Sequence, residues 1–377
     1  MRFPIRILNI TSTPYSTGGV ETLLLQMAGE TDADRFRVAY CNLFFPNSRF
    51  AEDLRARRKD VFSIGSRHVA GLPFALARLT ALLSDWRPDV VHTHMPYATI
   101  AGHVAAAVAR VPVRIVSRHH SDAQLAPSLR MIERRITNRA THVVAVSHSI
   151  AGELVAAGLD PARISVVHNG ISIDSIDAAP DVTEVPWPAA WKDTFIIGTV
   201  ANLYRYKGHD RLIRAFATVA EIREDARLVI IGDGPEREAL RRLVCALALE
   251  ERVFFTGRRP DVPSLLRLID LYVHPALTEP FGIAIIEAMA ARLPVVCTAV
   301  GGVPEIILDR VTGRLVPADD VAALASAIVE VMKDSRAAAE MGLRGRERVE
   351  RDFAIAGTTR AIEKVYLTAL ACSSTST

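Results

Sequence analysis

Residues 277–290 read Leu-Thr-Glu-Pro-Phe-Gly-Ile-Ala-Ile-Ile-Glu-Ala-Met-Ala, which sets Glu279 and Glu287 eight positions apart in an otherwise apolar run. A carboxylate taken out of water is costly unless something pairs with it, so the pair asks for a partner. Gly282 stands just before the helical pattern of residues 283–291, where the lack of a Cβ lets a ligand approach the backbone. Helix N-termini present unpaired N–H groups and a partial positive charge, so an anion, phosphate above all, is expected over Gly282, Ile283 and Ala284. Glu279 then lies in the loop before the helix, and Glu287 about 7–8 Å further along it at a rise of ~1.5 Å per residue. Two acceptor-only groups flanking a phosphate-binding helix end suit a ligand with hydroxyls on both sides of a phosphate, the layout of a nucleotide sugar. The competing reading, two solvated glutamates, has the apolar neighbours against it.

Cations stand at a comparable place earlier in the chain. The stretch 201–210, Ala-Asn-Leu-Tyr-Arg-Tyr-Lys-Gly-His-Asp, follows a predicted strand and puts Arg205 and Lys207 in its exit loop. Arg205 can meet phosphate oxygens bidentately and Lys207 as a point charge, so the two could neutralise a diphosphate without a metal; two solvated loop cations are the alternative. Gly18 and Gly19, between Thr17 and Val20, form a matching glycine pair in the first half. They do not make G-x-G-x-x-G, which removes the main support for a nicotinamide dinucleotide. Gly232-Asp233-Gly234 before Pro235 reads as a turn with proline opening a helix.

Histidines supply the remaining chemistry. His119 and His120 end a predicted strand, where either could orient or polarise a substrate hydroxyl, His120 lying one step further into the loop. His92 and His94 share one face of a strand, but zinc needs further ligands, and a packed pair is the better reading. Asp32 and Asp34 have D-x-D spacing yet follow the first helix rather than a strand end, so they are expected in a solvated turn and no metal site is assigned.

Composition narrows the class. The chain has 377 residues, 50% hydrophobic and 23% charged, with net charge +3. Two domains of ordinary size are expected at this length. Residues 1–180 carry +5 and the remainder −2. That asymmetry is too weak for a nucleic-acid partner, and no basic tract with interleaved aromatics supports one. Arg6 interrupts the only apolar run near the start, which argues against a signal peptide. No eighteen-residue apolar window is free of charge. Cys41, Cys245, Cys297 and Cys372 form no C-x-x-C pair, and a reducing, cytoplasmic setting is expected.

The elements that must position these residues alternate from end to end. Short β-branched runs are predicted at 6–10, 37–41, 90–94, 113–117, 142–146 and 164–167, with helices at 20–31, 72–85 and 147–157 among them. The aperiodic residues 174–192 read as a linker. A second set of strands follows at 194–200, 227–231, 253–256, 271–274 and 294–297. The fold class expected is α/β, with two Rossmann-like, doubly wound parallel-sheet domains facing a central cleft that takes the ligand.

In order and spacing these residues resemble the family 4 retaining glycosyltransferases of GT-B fold, also called the group 1 glycosyl transferases. The resemblance runs through nearly the whole chain. Its strongest part is Glu279-Pro-Phe-Gly-Ile-Ala-Ile-Ile-Glu287, the E-x7-E signature, followed by Pro294-Val-Val. Around it stand Lys207-Gly208, Gly232-Asp-Gly-Pro235, Thr256-Gly257-Arg258, Gly301-Gly302-Val-Pro-Glu305, Gly313 with Leu315-Val316, and Asn169-Gly170.

The resemblance implies a donor site in which Glu287 holds ribose hydroxyls, Glu279 the transferred sugar, Lys207 the diphosphate, and Phe281, Gly282 and Ile283 line phosphates and sugar. Arg258 would lie beside the base, Gly18 and Gly19 over the phosphates, and His120 near the reacting carbon. Asn202 departs from the pattern, standing where the family usually has arginine, and Arg205 is the candidate replacement. An acceptor-binding domain 1–175, completed by the helix 355–377, and a donor-binding domain 190–354 are implied. So is hexosyl transfer from a UDP- or GDP-sugar with retention and without metal or other cofactor. A sugar-nucleotide epimerase, or a module that binds nucleotide sugar without turnover, is the alternative. The same fold carries phosphorylases, but no local signature of a pyridoxal-binding lysine is seen.

For the acceptor, Arg130, Arg134, Arg135 and Arg139 share a predicted amphipathic helix with Leu129, Met131, Ile132 and Ile136. A basic helix of this kind can touch anionic lipid on the inner face of a membrane, although a solvated basic face over a packed stripe reads as well. The acceptor expected is a saccharide or lipid-linked saccharide, in the assembly of surface polysaccharide or glycolipid.

Overall fold

The computed structural model describes residues 3–12, 18–44, 48–66, 71–182 and 184–374. Met1–Gly170 with Ile355–Thr377 form one compact unit and Ile171–Ala354 a second. The first contains β1 (Ile5–Thr11), β2 (Phe36–Phe44), β3 (Asp60–Ser66), β4 (Val90–His94), β5 (Val113–Arg118), β6 (His142–Ala145) and β7 (Ile164–Val166). The second contains β8 (Phe195–Val200), β9 (Ala226–Ile231), β10 (Val253–Gly257), β11 (Leu271–His274), β12 (Val295–Thr298) and β13 (Arg314–Val316).

Each unit is a parallel sheet with helices between its strands. The first runs β3-β2-β1-β4-β5-β6-β7 and the second β10-β9-β8-β11-β12-β13. Strands covered on both faces read as nearly continuous apolar runs, and β4, β9 and β11 are almost wholly buried. In each sheet the chain reverses its direction of travel at one place, between β1 and β4 and between β8 and β11. Loops leaving the carboxyl ends of those strand pairs border a crevice where ligands of such sheets bind. Lys207 follows β8, Glu279 follows β11, and Gly18 follows β1.

Each unit has its own core. Leu8, Ile10, Cys41, Leu79, Val91 and Ala105 pack on one side of the first sheet. On its other side Ile7, Val90, Val113 and Ile115 meet Ile362, Val365 and Tyr366 of the last helix, Ile355–Ser374. In the second unit Leu212, Ile213 and Phe216 of the helix His209–Ile222 pack with Leu228, Ile230 and Val273 of the sheet and Leu324 and Ile328 of the helix Val321–Lys333.

Several sequence expectations change. Residues 174–192 are not a linker: the helix Ile173–Asp177 lies there, and Ile176, Trp187 and Trp191 are buried in the second unit. Arg346 clamps Asp177 through two hydrogen bonds of 2.7 and 2.6 Å. The segment lacks a period because single large side chains, not a helix face, pin it. Pro235 does not open a helix either, since the helix runs Arg237–Ala246. The helix Pro127–Thr137 buries Glu133 and Thr137 and leaves Met131 and Ile132 exposed, so its apolar residues are not a packed stripe. Arg139 lies beyond that helix.

Candidate active site

In the second unit three loops converge. The loop after β8 makes a short 3-10 turn, Arg205–Lys207, before the helix His209–Ile222. The N–H groups of Leu277 and Thr278, in the loop after β11, both reach the Tyr206 carbonyl, at 2.8 and 3.3 Å. Gly208 has φ +67°, and a Cβ there would lie 2.0 Å from the Pro275 carbonyl oxygen, so glycine alone lets the two loops touch. The loop after β12 joins them: the Gly302 N–H donates to the Glu279 carbonyl at 3.0 Å. Gly301 has φ +52°, and a Cβ there would lie 2.0 Å from that same oxygen.

This packing fixes Glu279. Its Oε2 accepts from Lys207 Nζ at 2.6 Å and lies 2.8 Å from Nε2 of His274, the last residue of β11. His274 is itself steadied by Tyr272, whose hydroxyl is 3.3 Å from Nδ1. Burial alone would raise the Glu279 carboxyl, but the Lys207 ammonium and the His274 hydrogen bond outweigh burial and hold it well below the usual carboxylate range. Oε1 has no partner among the described residues, which leaves one oxygen of a fixed carboxylate for a ligand hydroxyl. Glu279 therefore has a protein counterion, which its apolar surroundings in the sequence did not reveal.

Glu287 is the opposite case. It lies on the helix Ile283–Ala290, and among the described residues no cation or hydrogen-bond donor meets its carboxylate. Solvent reaches part of the residue, yet the carboxyl lies deep enough that burial pushes it up to about 7. At the other end of this helix the first intrahelical bonds, from Ile285 and Ile286, both go to the Gly282 carbonyl, at 3.0 and 3.3 Å. The amides of Ile283 and Ala284 thus stand at the open end of the helix. Phe281 is buried, with its ring centroid 5.7 Å from that of Phe353.

The other cations divide. Arg205 is exposed and helps wall a cavity of about 250 Å³ with Tyr204, His209, Arg214, Glu236 and Leu240. Only Lys207 of that turn meets Glu279. Arg258 is exposed in the loop after β10. The sequence reading missed His209, which is buried beside Gly208 with neither ring nitrogen hydrogen-bonded. Burial, with His274 and Lys207 near, pushes it down to about 3. It missed His274 as well, although a histidine closing a buried strand was a visible signal.

In the first unit, Gly18 and Gly19 lie at the start of the helix Gly19–Glu30, the only part of the glycine loop among the described residues; Thr17 is outside them. His119 and His120 are tied inward rather than open to solvent. His119 Nε2 lies 3.1 Å from His94 Nδ1, and His94 Nε2 lies 3.0 Å from Asn9 Oδ1. His92 bridges Tyr366 and Ser117, at 2.8 Å each, and its ring centroid is 4.2 Å from that of His94. Every nitrogen of the His92–His94 pair is thus used within the protein, as a packed pair requires. His120 Nε2 lies 3.0 Å from Glu133 Oε2, a partner the sequence reading did not foresee. Asp32 accepts from the Asp34 and Arg35 N–H groups, which is a turn.

Two parallel sheets with these loops at their switch points have the architecture of the GT-B fold. Residues 182–348 match the family "Glycosyl transferases group 1" and residues 17–175 match "Glycosyltransferase Family 4". The N-acetyl-alpha-D-glucosaminyl L-malate synthase of Bacillus anthracis is 31% identical, with 74% of each chain covered. A phosphatidyl-myo-inositol mannosyltransferase of Mycobacterium leprae is 30% identical over 94% of this chain and 95% of the relative. Among solved structures, Anabaena Alr3699/HepE in complex with UDP-glucose superposes with a TM-score of 0.84 at 22% identity, covering 96% of this chain and 98% of the other. Sucrose-phosphate synthase from Thermosynechococcus elongatus gives 0.80 at 23%, covering 98% and 100%. The chain belongs to the group 1 glycosyltransferases of family 4, and it is an enzyme of that class.

Proposed function

We propose that the chain transfers a sugar, with retention, from a UDP- or GDP-sugar to a hydroxyl of a saccharide or lipid-linked saccharide acceptor. The observation that carries this reading is the contrast across one helix: a paired, ionised Glu279 before Gly282 and an unpaired Glu287 on the helix behind it. The donor diphosphate lies over Gly282 and the Ile283 amide, where the helix end and Lys207 neutralise its charge as it leaves. Arg205, exposed and unpaired among the described residues, is the second cation assigned to it. Oε1 of Glu279 takes a sugar hydroxyl, Glu287 takes ribose hydroxyls, and Arg258 lies beside the base. Phe281 lines the sugar, Gly18 and Gly19 close on the phosphates, and His120 contacts the reacting sugar. The leaving diphosphate accepts the acceptor's proton on the same face, so positioning and electrostatics supply the rate and no divalent ion takes part.

The relatives support the substrate class, since one of them is the GDP-mannose-dependent alpha-(1-6)-phosphatidylinositol monomannoside mannosyltransferase of Mycolicibacterium smegmatis. Among the described residues no helix is long and apolar enough to cross a membrane. A peripheral role on an anionic cytoplasmic leaflet is supported by Met131 and Ile132, exposed on the helix that carries Arg130, Arg134 and Arg135, with Arg139 just beyond. Assembly of a surface polysaccharide or glycolipid is the pathway proposed with it.

A thermal-shift panel tests the donor. UDP, GDP, UDP-glucose, UDP-N-acetylglucosamine and GDP-mannose are compared with and without chelator, and stabilisation by one base series in chelator is expected. A shift seen only with added divalent metal would overturn the metal-free assignment.

A further inference from the structure

The helix Pro127–Thr137 is built the wrong way round for packing. Met131 and Ile132 are exposed, while its buried residues are the polar Glu133 and Thr137. The Glu133 side chain is 0% exposed. Placing a carboxylate there needs a reason beyond stability, because a buried ion pair is no better a stabiliser than apolar side chains of the same volume.

Its contacts supply one. Glu133 Oε2 accepts from Arg118 at 2.7 Å and lies 3.0 Å from His120 Nε2. Arg118 also donates from Nε to the His120 carbonyl at 3.2 Å and pairs with Asp122. Ser121 and the Asp122 N–H are fastened to Glu153 at 2.7 and 3.0 Å, so the chain that follows His120 is held. A carboxylate paired with a guanidinium only accepts, so the hydrogen on this imidazole sits on Nε2. In the neutral ring Nδ1 carries the lone pair, and that atom is buried without a partner. An unmade hydrogen bond of this kind is a standing cost that an incoming donor would remove.

We propose that Glu133 is a positioning residue. It fixes the Nε2–H tautomer of His120 and so presents Nδ1 as the acceptor for a substrate hydroxyl, in the way a carboxylate orients a metal-bound or catalytic histidine. The role rests on the assignment of His120 to the reacting sugar. Substrate reaches Nδ1 by displacing the side chains that cover it, since His120 is only 6% exposed.

The test uses the full chain labelled with 15N at histidine, with the His120 signals identified by their loss in His120→Ala. The wild type is expected to show the Nε2–H tautomer. Glu133→Gln keeps it, because one amide oxygen can serve both Arg118 and His120. The double variant Arg118→Met with Glu133→Leu removes the fully buried pair as a unit, while the part-exposed Asp122, which also loses Arg118, keeps Arg134 at 3.7 Å. It is expected to show mixed tautomers and at least a tenfold loss of kcat for nucleotide release from UDP-glucose, UDP-N-acetylglucosamine or GDP-mannose. Its KM for the donor should stay within twofold. An Nδ1–H tautomer in the wild type, or a double variant that keeps both the tautomer and kcat, overturns the proposal. If instead His120→Ala itself leaves nucleotide release unchanged, the assignment of His120 falls, and the proposal falls with it for that separate reason.

Discussion

Both units are parallel sheets with one switch point, but the first links His92, His94 and His119 ring to ring, whereas the second sets Glu279 against Lys207 and His274 and leaves Glu287 unpaired on the next helix among the described residues. His92, His103 and His119 are pushed down to about 3 and His94 well below its ordinary value, chiefly by burial, so these four rings of the first unit are neutral near pH 7. The second holds Glu279 and Glu287, one ionised by its partners and one pushed up to about 7, with His209 as its neutral ring. Neutral rings knit into hydrogen bonds make a rigid wall whose charge does not change near neutral pH. A paired and an unpaired carboxylate make a surface that a ligand completes.

The largest expected effect breaks the second unit's half of this contrast. Glu279→Ala strands the Lys207 ammonium beside His274 and should cost about 3–5 kcal/mol in chemical denaturation, with transfer lost. A variant as stable as the wild type would show that the Lys207 pair is not holding the loops together.

Next is the response to acid. A buried histidine whose folded value lies below its unfolded one, about 6.5, contributes stability that is complete above that pH and is lost as pH falls toward the folded value. Four such groups act in the first unit, and the half-buried His142, also lowered, adds in the same direction. In the second, His209 acts the same way, while Glu287, with its folded value raised, adds stability as pH falls from about 7 toward the ordinary carboxylate range. Hydrogen exchange, corrected for intrinsic rates, should therefore show peptides of residues 18–170 losing protection first between pH 6.5 and 4.5. Equal loss in residues 184–354 would remove the distinction.

A smaller change separates the two glutamates. Hydroxyls donate to an ionised Glu287, so donor binding should tighten as pH rises through about 7 and release a proton below it. Glu287→Gln is expected to weaken the nucleotide about tenfold, flatten that pH dependence in calorimetry and leave stability at pH 8 unchanged or higher. Unaltered donor binding would remove the ribose assignment. Smallest is the surface pair: Met131→Ser with Ile132→Ser should move stability by less than ~0.5 kcal/mol. It should also lower flotation with vesicles containing anionic lipid, and equal flotation would leave the basic residues without a membrane role.

Much of the architecture was legible because buried parallel strands are continuous apolar runs, as in Val90–His94 and Leu271–His274. β3 and β13 were not read. Asp60-Val-Phe-Ser-Ile-Gly-Ser66 sits at a sheet edge and needs little apolar surface, and β13 has three residues. The site was legible where one stretch carries its own chemistry, as residues 279–287 do. It was not legible where partners are far apart in the chain: Lys207 lies 72 positions from Glu279, and nothing local to Glu133 marks His120.

The sequence by itself determined most of the elements, the strand ends that carry charge, and the glycines at 208, 282 and 301 that let loops and helix ends come close, since these follow from local periodicity and backbone sterics. Only the tertiary structure decided the charge states. Whether a carboxylate is ionised depends on what lies within a few ångströms of it in space, and two glutamates eight residues apart, alike in their apolar setting, acquire opposite shifts because Lys207 and His274 reach one and not the other.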